Sequence, residues 1–317
     1  MILDIPTPEE FNRTGLHLLN HAWSIGFEIA SEVRFAHIDD ETIASELSEE
    51  YWREAQPALN NAFTLIHQAQ EMELKGKIAS ISPYLLIQRD PRYWPAKCDE
   101  KNISFSKFRM VDSIDLVKIY NSFCQADLRL DKEFMFVFDQ VREERNSIIH
   151  SGRSIRAIGA RELFTYILKI FACFYREKSW ISQRKYYLEN DRISVLHSSD
   201  HSIVTLLGEF ETAADLLTSS DVKRFFGLTK ARRYLCPECN HECESIGGDL
   251  YYVSQLKPNS PSATTVHCLV CGQDTEVLRV RCGVAGCKSN VICKDAQWGY
   301  MCLICGTERE AIKGTVS

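Results

Sequence analysis

The sequence predicts a mainly α protein: a helical bundle over residues 1–228, followed by a small β-rich domain over 229–317 built around cysteine. Three observations lead there. Up to about residue 228, apolar side chains recur at three- and four-residue steps over segments long enough to be helices. At about 229 that periodicity stops, and ten of the thirteen cysteines fall from Cys236 onward. The whole chain has 317 residues, 45% hydrophobic and 25% charged, which is globular usage with room for two or three domains rather than a disordered composition.

Charge and hydropathy narrow the classes further. The opening MILDIPTPEE has no basic region followed by an apolar run, so no secretory signal is expected. The longest apolar run, Leu163 to Tyr175, is interrupted by Lys169 and is too short to span a bilayer. A cytoplasmic protein with no membrane partner is the expectation. The net charge of −6 does not advertise a nucleic-acid partner. Residues 229–317 hold 10 basic and 9 acidic side chains, leaving 27 against 34 in the first 228, so any RNA site must be a local basic patch. Arg142, Arg153, Arg156 and Arg161 are the candidates, with pairing to Glu143 and Glu144 as the competing reading.

Taken in order, the elements begin at Thr7-Pro8-Glu9-Glu10, where Thr7 caps, Pro8 takes the first helical position and Glu10 completes a capping box. That helix is expected to reach about Phe35. Glu28 lies in its apolar half, either exposed or ion-paired. A helical stretch from Asp40 to Trp52 follows, and Pro57 opens a long helix through about Ile78. Between Arg89 and Phe108 the pattern lapses into a loop containing Tyr93, Trp94 and Cys98. Its two aromatics either anchor the loop to the core or stack on bases. A short helix capped by Asp112 or Ser113 comes next. After the segment treated below, Ile158 to Lys178 is strongly apolar, and Asp200 to Thr218 supplies a helix with a short one after Ser220. His201 is read as a surface residue, and Cys124 and Cys173 as buried structural thiols.

The segment Asp131 to Gly152, DKEFMFVFDQVREERNSIIHSG, is the centre of the helical part. Phe134, Val137, Phe138, Val141, Arg145 and Ile148 form a stripe, Asp131 is the N-cap, and Gly152 can end the helix in the left-handed conformation. Asn146 and His150, four apart, share a face with Arg145 one position aside, so a guanidinium, an amide and an imidazole can converge on one anionic group. A second Arg-x4-His occurs at Arg192 to His197. It lacks the Asn and a clear amphipathic helix, and no role is assigned to it.

With its helix, its Asn and its nearby arginines, Arg145-Asn146-x3-His150 resembles the motif of HEPN domains. These are all-helical modules, many of them ribonucleases of RNA processing, toxin–antitoxin systems and phage defence. The specific likeness covers six residues and the likeness in helical layout extends over about the first 228. The resemblance implies a metal-independent endoribonuclease acting on RNA through attack of the 2′-OH. Arg145, Asn146 and His150 would be its catalytic residues. It also implies a homodimer pairing two such motifs, and an antitoxin or other protein partner.

The cysteines carry the second signal. Cys236-x2-Cys239 and Cys268-x2-Cys271 are 28 residues apart with Tyr251-Tyr252-Val253 as an intervening strand. Cys282-x4-Cys287 and Cys302-x2-Cys305 form a second set, 14 residues apart. Without a secretory signal, this density argues for metal rather than disulfides. Each set offers four thiolates for one zinc ion, and with all four ligand places filled by protein the two ions are expected to be structural. Cys293 competes for a place in the second site; Cys243, His241 or His267 could substitute in the first. Both sets, at about 236–271 and 282–305, resemble zinc ribbons. Arg279, Arg281, Lys288, Lys294 and Trp298 could form a recognition surface on them, or the ribbons could simply cap the bundle or stabilise a dimer. Two function classes follow: an endoribonuclease whose ribbons choose or dock RNA, and a non-catalytic helical and zinc-ribbon module binding nucleic acid or protein.

Overall fold

A computed structural model describes residues 1–35, 41–151, 157–190, 200–244, 250–295 and 299–309. The protein is mainly helical, with a curled antiparallel sheet toward its C-terminus, as the composition shift predicted. It divides into two compact units, Met1–Arg176 and Glu177–Ser317.

In the first unit, α1 (Pro8–Phe35) starts where expected. Glu10 N donates to Thr7 Oγ1 at 3.2 Å and Thr7 N donates to Glu10 Oε2 at 2.8 Å, the reciprocal capping box. α2 (Glu41–Glu54) follows, and Tyr51 of α2 donates its hydroxyl hydrogen to the carbonyl of Ile29 at 3.0 Å. α3 (Gln56–Ile81) is the central element. It runs antiparallel to α1, since Gly15 lies against Glu73 and Gly76 against Asn12. A Cβ on Gly15 would sit 2.5 Å from Glu73 Oε1, so the missing side chain is what lets the helices approach.

On its other sides α3 meets α4 (Ser113–Phe123), α5 (Lys132–Ser151) and α6 (Ala160–Phe174). Trp23, Phe63, Ile66, Leu74, Phe138, Phe164 and Ile167 are fully buried between them and form the core. Burial of that kind stabilises by about 1.5–3 kcal/mol per large apolar side chain. The same interior holds polar groups at fixed places. Gln70 donates to the carbonyl of Phe138 at 3.2 Å, and Tyr175 donates to the carboxylate of buried Glu73 at 2.8 Å. Burial, with that carboxylate alongside, pushes the Tyr175 hydroxyl well above its usual range. The loop between α3 and α4 contains only short turns and a two-residue strand, β2 (Ile103–Ser104), paired parallel to β1 (Ile2–Leu3).

The second unit holds α7 (Trp180–Asn190), α8 (Asp200–Leu216) and α9 (Ser219–Phe226) together with the sheet. α7 was not predicted. Its tie to α8 is ionic: Arg184, 3% exposed in its side chain, donates through Nε and Nη2 to the two oxygens of Glu209 at 2.8 and 2.7 Å. α8 in turn packs on α10 (Pro237–Glu244) and on β4 (Tyr252–Leu256).

The sheet is a seven-stranded antiparallel meander: β3 (Tyr234–Leu235), β4, β5 (Thr265–Cys268), β6 (Asp274–Leu278), β7 (Ile292–Asp295), β8 (Gly299–Cys302) and β9 (Glu308–Arg309). It curls enough for Leu235 N to donate to the carbonyl of Leu303 at 2.9 Å. One apolar core, including Leu235, Leu256, Val266, Val277, Val291, Met301 and Leu303, runs under the strands.

Candidate metal centres and the Arg-Asn-His helix end

The eight predicted cysteines come together in two groups of four. Cys236 and Cys239 sit at the junction of β3 and α10, and Cys268 and Cys271 at the β5–β6 turn. Cys282 and Cys287 lie in the β6–β7 connection, and Cys302 and Cys305 at the β8–β9 turn. The two turns are built alike. In Cys268-Leu269-Val270-Cys271-Gly272 and Cys302-Leu303-Ile304-Cys305-Gly306, each glycine takes a positive φ, 77° and 68°, and donates back to the first cysteine's carbonyl. That left-handed step is open to glycine and strained for other residues, and it closes the turn so that both sulfurs point the same way.

The sulfur geometry is that of a metal site. Cys236 and Cys271 Sγ are 3.6 Å apart and Cys239 and Cys268 3.7 Å; in the second group Cys282 and Cys305 are 3.6 Å apart and Cys287 and Cys302 3.8 Å. A tetrahedron of thiolates about 2.3 Å from a central ion has edges of about 3.8 Å, which these distances match. They are far from a disulfide, and none of the cysteines is in one. Hydrogen bonding within the group pushes the Cys268 and Cys271 thiols below their usual range and those of Cys236 and Cys239 above it, the signature of one tightly coupled set. Either group could hold a metal ion.

The competing ligands are placed elsewhere. Cys293 belongs to the apolar core of the sheet, and His267 Nδ1 lies 2.5 Å from Asp274 Oδ1. Cys243 and His241 are on α10, outside both sulfur groups. Among the ribbon cations, Arg281, Lys288 and Lys294 are exposed, whereas the buried Nε and Nη1 of Arg279 have no hydrogen-bond partner among the described residues. Trp298 lies outside the described residues.

The three motif residues occupy the last two turns of α5. Phe134 N donates to Asp131 Oδ1 at 2.8 Å, so the predicted cap starts the helix. Phe134, Val137, Phe138 and Val141 bury the predicted stripe against α3 and α6. At the other end Arg145 is half-buried and its Nη1 donates to Asn146 Oδ1 at 3.0 Å. His150 is exposed near the end of the helix.

A residue that the sequence reading passed over lies behind Arg145. His67 of α3 is 3% exposed, and neither ring nitrogen has a hydrogen-bond partner among the described residues; its Nε2 is 3.7 Å from Glu71 Oε1. Burial pushes its pKa down, against the pull of Glu71 and with help from Arg145, Arg142 and Lys75. Burial therefore favours the neutral imidazole. The buried Nε atoms of Arg142 and Arg145 are likewise without hydrogen-bond partners.

The remaining candidates resolve as follows. Arg142 Nη2 is 3.4 Å from Asp139 Oδ1, and Arg161 is exposed on α6. Gly152, Arg153, Arg156, Arg192 and His197 lie outside the described residues. Glu28 is exposed on α1. Trp94 donates from Nε1 to the carbonyl of Gln88 at 2.7 Å and lies edge-on to Phe108, the anchoring arrangement, while Arg109 sits 4.7 Å over the Tyr93 ring. Cys173 is packed on its helix with burial pushing its thiol up to about 11, and Cys124 caps the end of α4. No described helix is long and apolar enough to cross a membrane. Comparison with family models, with curated proteins and with solved structures finds no match for this chain.

Proposed function

We propose that the protein is a cytoplasmic, metal-independent endoribonuclease of the HEPN kind, with two zinc ions held by its cysteine groups. The observation that carries the reading is the end of α5, where Asn146 holds the half-buried Arg145 guanidinium at 3.0 Å and His150, four residues beyond Asn146 on the same helix, is exposed. RNA cleavage needs that combination. A base removes the ribose 2′-OH proton, the freed oxygen attacks phosphorus, the bond to the 5′-oxygen breaks and that oxygen takes a proton, leaving a 2′,3′-cyclic phosphate and a 5′-hydroxyl. His150 is suited to either proton transfer, and Arg145 to the charge that builds on the phosphate. Asn146 keeps Arg145 in place. Among the described residues one exposed imidazole, His150, stands at this helix end, so a homodimer bringing two α5 ends together would supply both proton-transfer groups.

Zinc is the ion of choice for the cysteine groups because all-thiolate tetrahedral sites favour it. All four ligand places are occupied by protein in each group, so its part is structural. The ribbons then present Arg281, Lys288 and Lys294 to RNA or to a protein such as an antitoxin.

The deciding experiment is incubation of the purified protein with total RNA in EDTA, wild type beside His150→Ala. Cutting by wild type alone, with cyclic-phosphate ends and no action on 2′-O-methyl RNA, supports the reading. A second reading, a non-catalytic binding module, is favoured by the absence among the described residues of any side chain orienting His150. It becomes the better one if His150→Ala cuts as well as wild type or if neither cuts.

A further inference from the structure

A groove of about 720 Å³ runs between α4 and α5, and its composition runs against that of the unit around it. Residues 1–176 carry 21 basic and 26 acidic side chains, yet the groove is lined by three cations, Lys118, Arg129 and Arg142, and one carboxylate, Asp139. Between the charges lie apolar surfaces that the fold leaves uncovered: Ile114 is 62% exposed and Met135 36%, over a floor made by buried Phe138. Arg142 also brings a buried Nε with no hydrogen-bond partner among the described residues.

The direction of the groove gives it meaning. Met135, Asp139 and Arg142 line it and follow one another at steps of four and three along α5, which is one stripe of the helix. Continued by four residues the stripe reaches Asn146, and by four more it reaches His150. At 1.5 Å per residue, Arg142 stands about 6 Å from the level of Asn146 and about 12 Å from that of His150. A polymer with regularly spaced negative charges and flat apolar faces, laid along the stripe, would place one unit at the motif while others rest on the cations and on Ile114 and Met135.

Resting on the ribonuclease reading above, we propose that this groove is the track for single-stranded RNA, with Lys118 and Arg129 binding backbone phosphates upstream or downstream of the bond presented to Arg145 and His150. Alternating phosphate and base contacts are how single strands are held without sequence preference. Lys118 and Arg129 are exposed, so replacing them leaves the core intact.

The test is fluorescence anisotropy of a fluorescein-labelled RNA of mixed sequence with full-length His150→Ala, which does not consume the probe, against the same protein carrying Lys118→Ser and Arg129→Ser. Lys101→Ser with Lys107→Ser serves as a control of equal charge outside the groove. The expected result is a loss of affinity of roughly tenfold or more at about 0.1 M salt and a fall of about 1.4 in the slope of log affinity against log salt, two phosphates' worth, with the control unchanged. Equal affinity and slope in groove and control variants would overturn the track. So would a dimer, seen by light scattering, that Lys118→Ser and Arg129→Ser dissociate without weakening RNA binding, since the groove would then belong to a second copy. Cleavage by the chain with His150 intact separates the two ideas. If wild type cuts and the groove variant cuts with unchanged KM, the track fails and the ribonuclease stands; if wild type does not cut but the groove variant still loses RNA, the ribonuclease fails and the track stands.

Discussion

The two cysteine groups and the end of α5 are functional arrangements of opposite kinds. In the first, eight sulfurs from distant parts of the chain arrive with spacings of 3.6–3.8 Å, and the backbone that places them is a glycine-closed turn used twice. The geometry alone names the class of ligand. At α5, Arg145 and Asn146 of one helix are joined by a hydrogen bond, His150 stands exposed four residues further on, and what they act on must come from outside. Convergence of remote segments is costly to maintain and is therefore informative. Convergence within one helix is nearly free, and its meaning rests on chemistry that a measurement must supply.

The sharpest way to break this contrast is to remove metal. Structural zinc in small ribbons is worth about 10–16 kcal/mol of folding energy at neutral pH, comparable to a typical domain's whole stability of about 5–15 kcal/mol. Elemental analysis should give two zinc ions per chain. A strong chelator, or Cys268→Ser, should collapse the sheet of the second unit as read by circular dichroism and proteolysis; metal-free protein with an intact sheet would dismiss the assignment.

Arg145→Ala and His150→Ala probe the other side. Each should cost about two or more orders of magnitude in RNA cleavage, about 2.7 kcal/mol of barrier, with the helical signal unchanged. His197→Ala should be nearly silent, as the outlying copy of the motif. A loss of folding in either α5 variant would make those residues structural.

Smaller still is an effect of pH. His67 has its folded pKa depressed, so below the ordinary histidine value near 6.5 the unfolded chain binds a proton that the folded chain refuses. Stability should therefore fall as pH drops from about 6.5 toward the folded pKa, by at most about 1.4 kcal/mol per pH unit, and should be flat with respect to this group above it. Glu71, Arg142, Arg145 and Lys75 face the ring and set how far the window extends. Denaturant titrations of wild type and His67→Leu at pH 7.5 and 5.5 measure it; parallel behaviour of the two would show that the ring takes up its proton as readily in the folded protein as in the unfolded chain.

The least effect is expected at Cys293, buried in the sheet core. Cys293→Val should keep both zinc ions and lose less than about 1.5 kcal/mol, the range for a volume-conserving change. A missing ion in that variant would return Cys293 to the ligand set.

What could be read in the sequence divides along the same line. The caps at Thr7 and Asp131 and the cysteine quartets depend on residues a few positions apart or on a repeated turn, and the structure places all of them as the spacing implied. α7 escaped because its buried contact is Arg184 with Glu209, two charged residues 25 positions apart that a periodicity search scores as surface. His67 escaped for the same reason: its charged neighbours Arg142 and Arg145 lie on α5, and nothing local sets a histidine within α3 apart. That α8 packs on α10 and β4 was not legible either, because helices that pack on a sheet look, in sequence, like those that pack on one another. The α4–α5 groove exists only once two helices stand side by side.

The sheet itself has a consequence for how this region can change. β6 pairs with β5, which carries Cys268 of one sulfur group, and with β7, which leads from Cys287 of the other, so one five-residue strand aligns both. Strand side chains alternate, and a slip of one residue would turn Val277 out of the shared core and shift the register on both flanks together. The two ribbons are therefore not interchangeable cassettes. Neither can be excised, duplicated or swapped for a ribbon from elsewhere without rewriting the other.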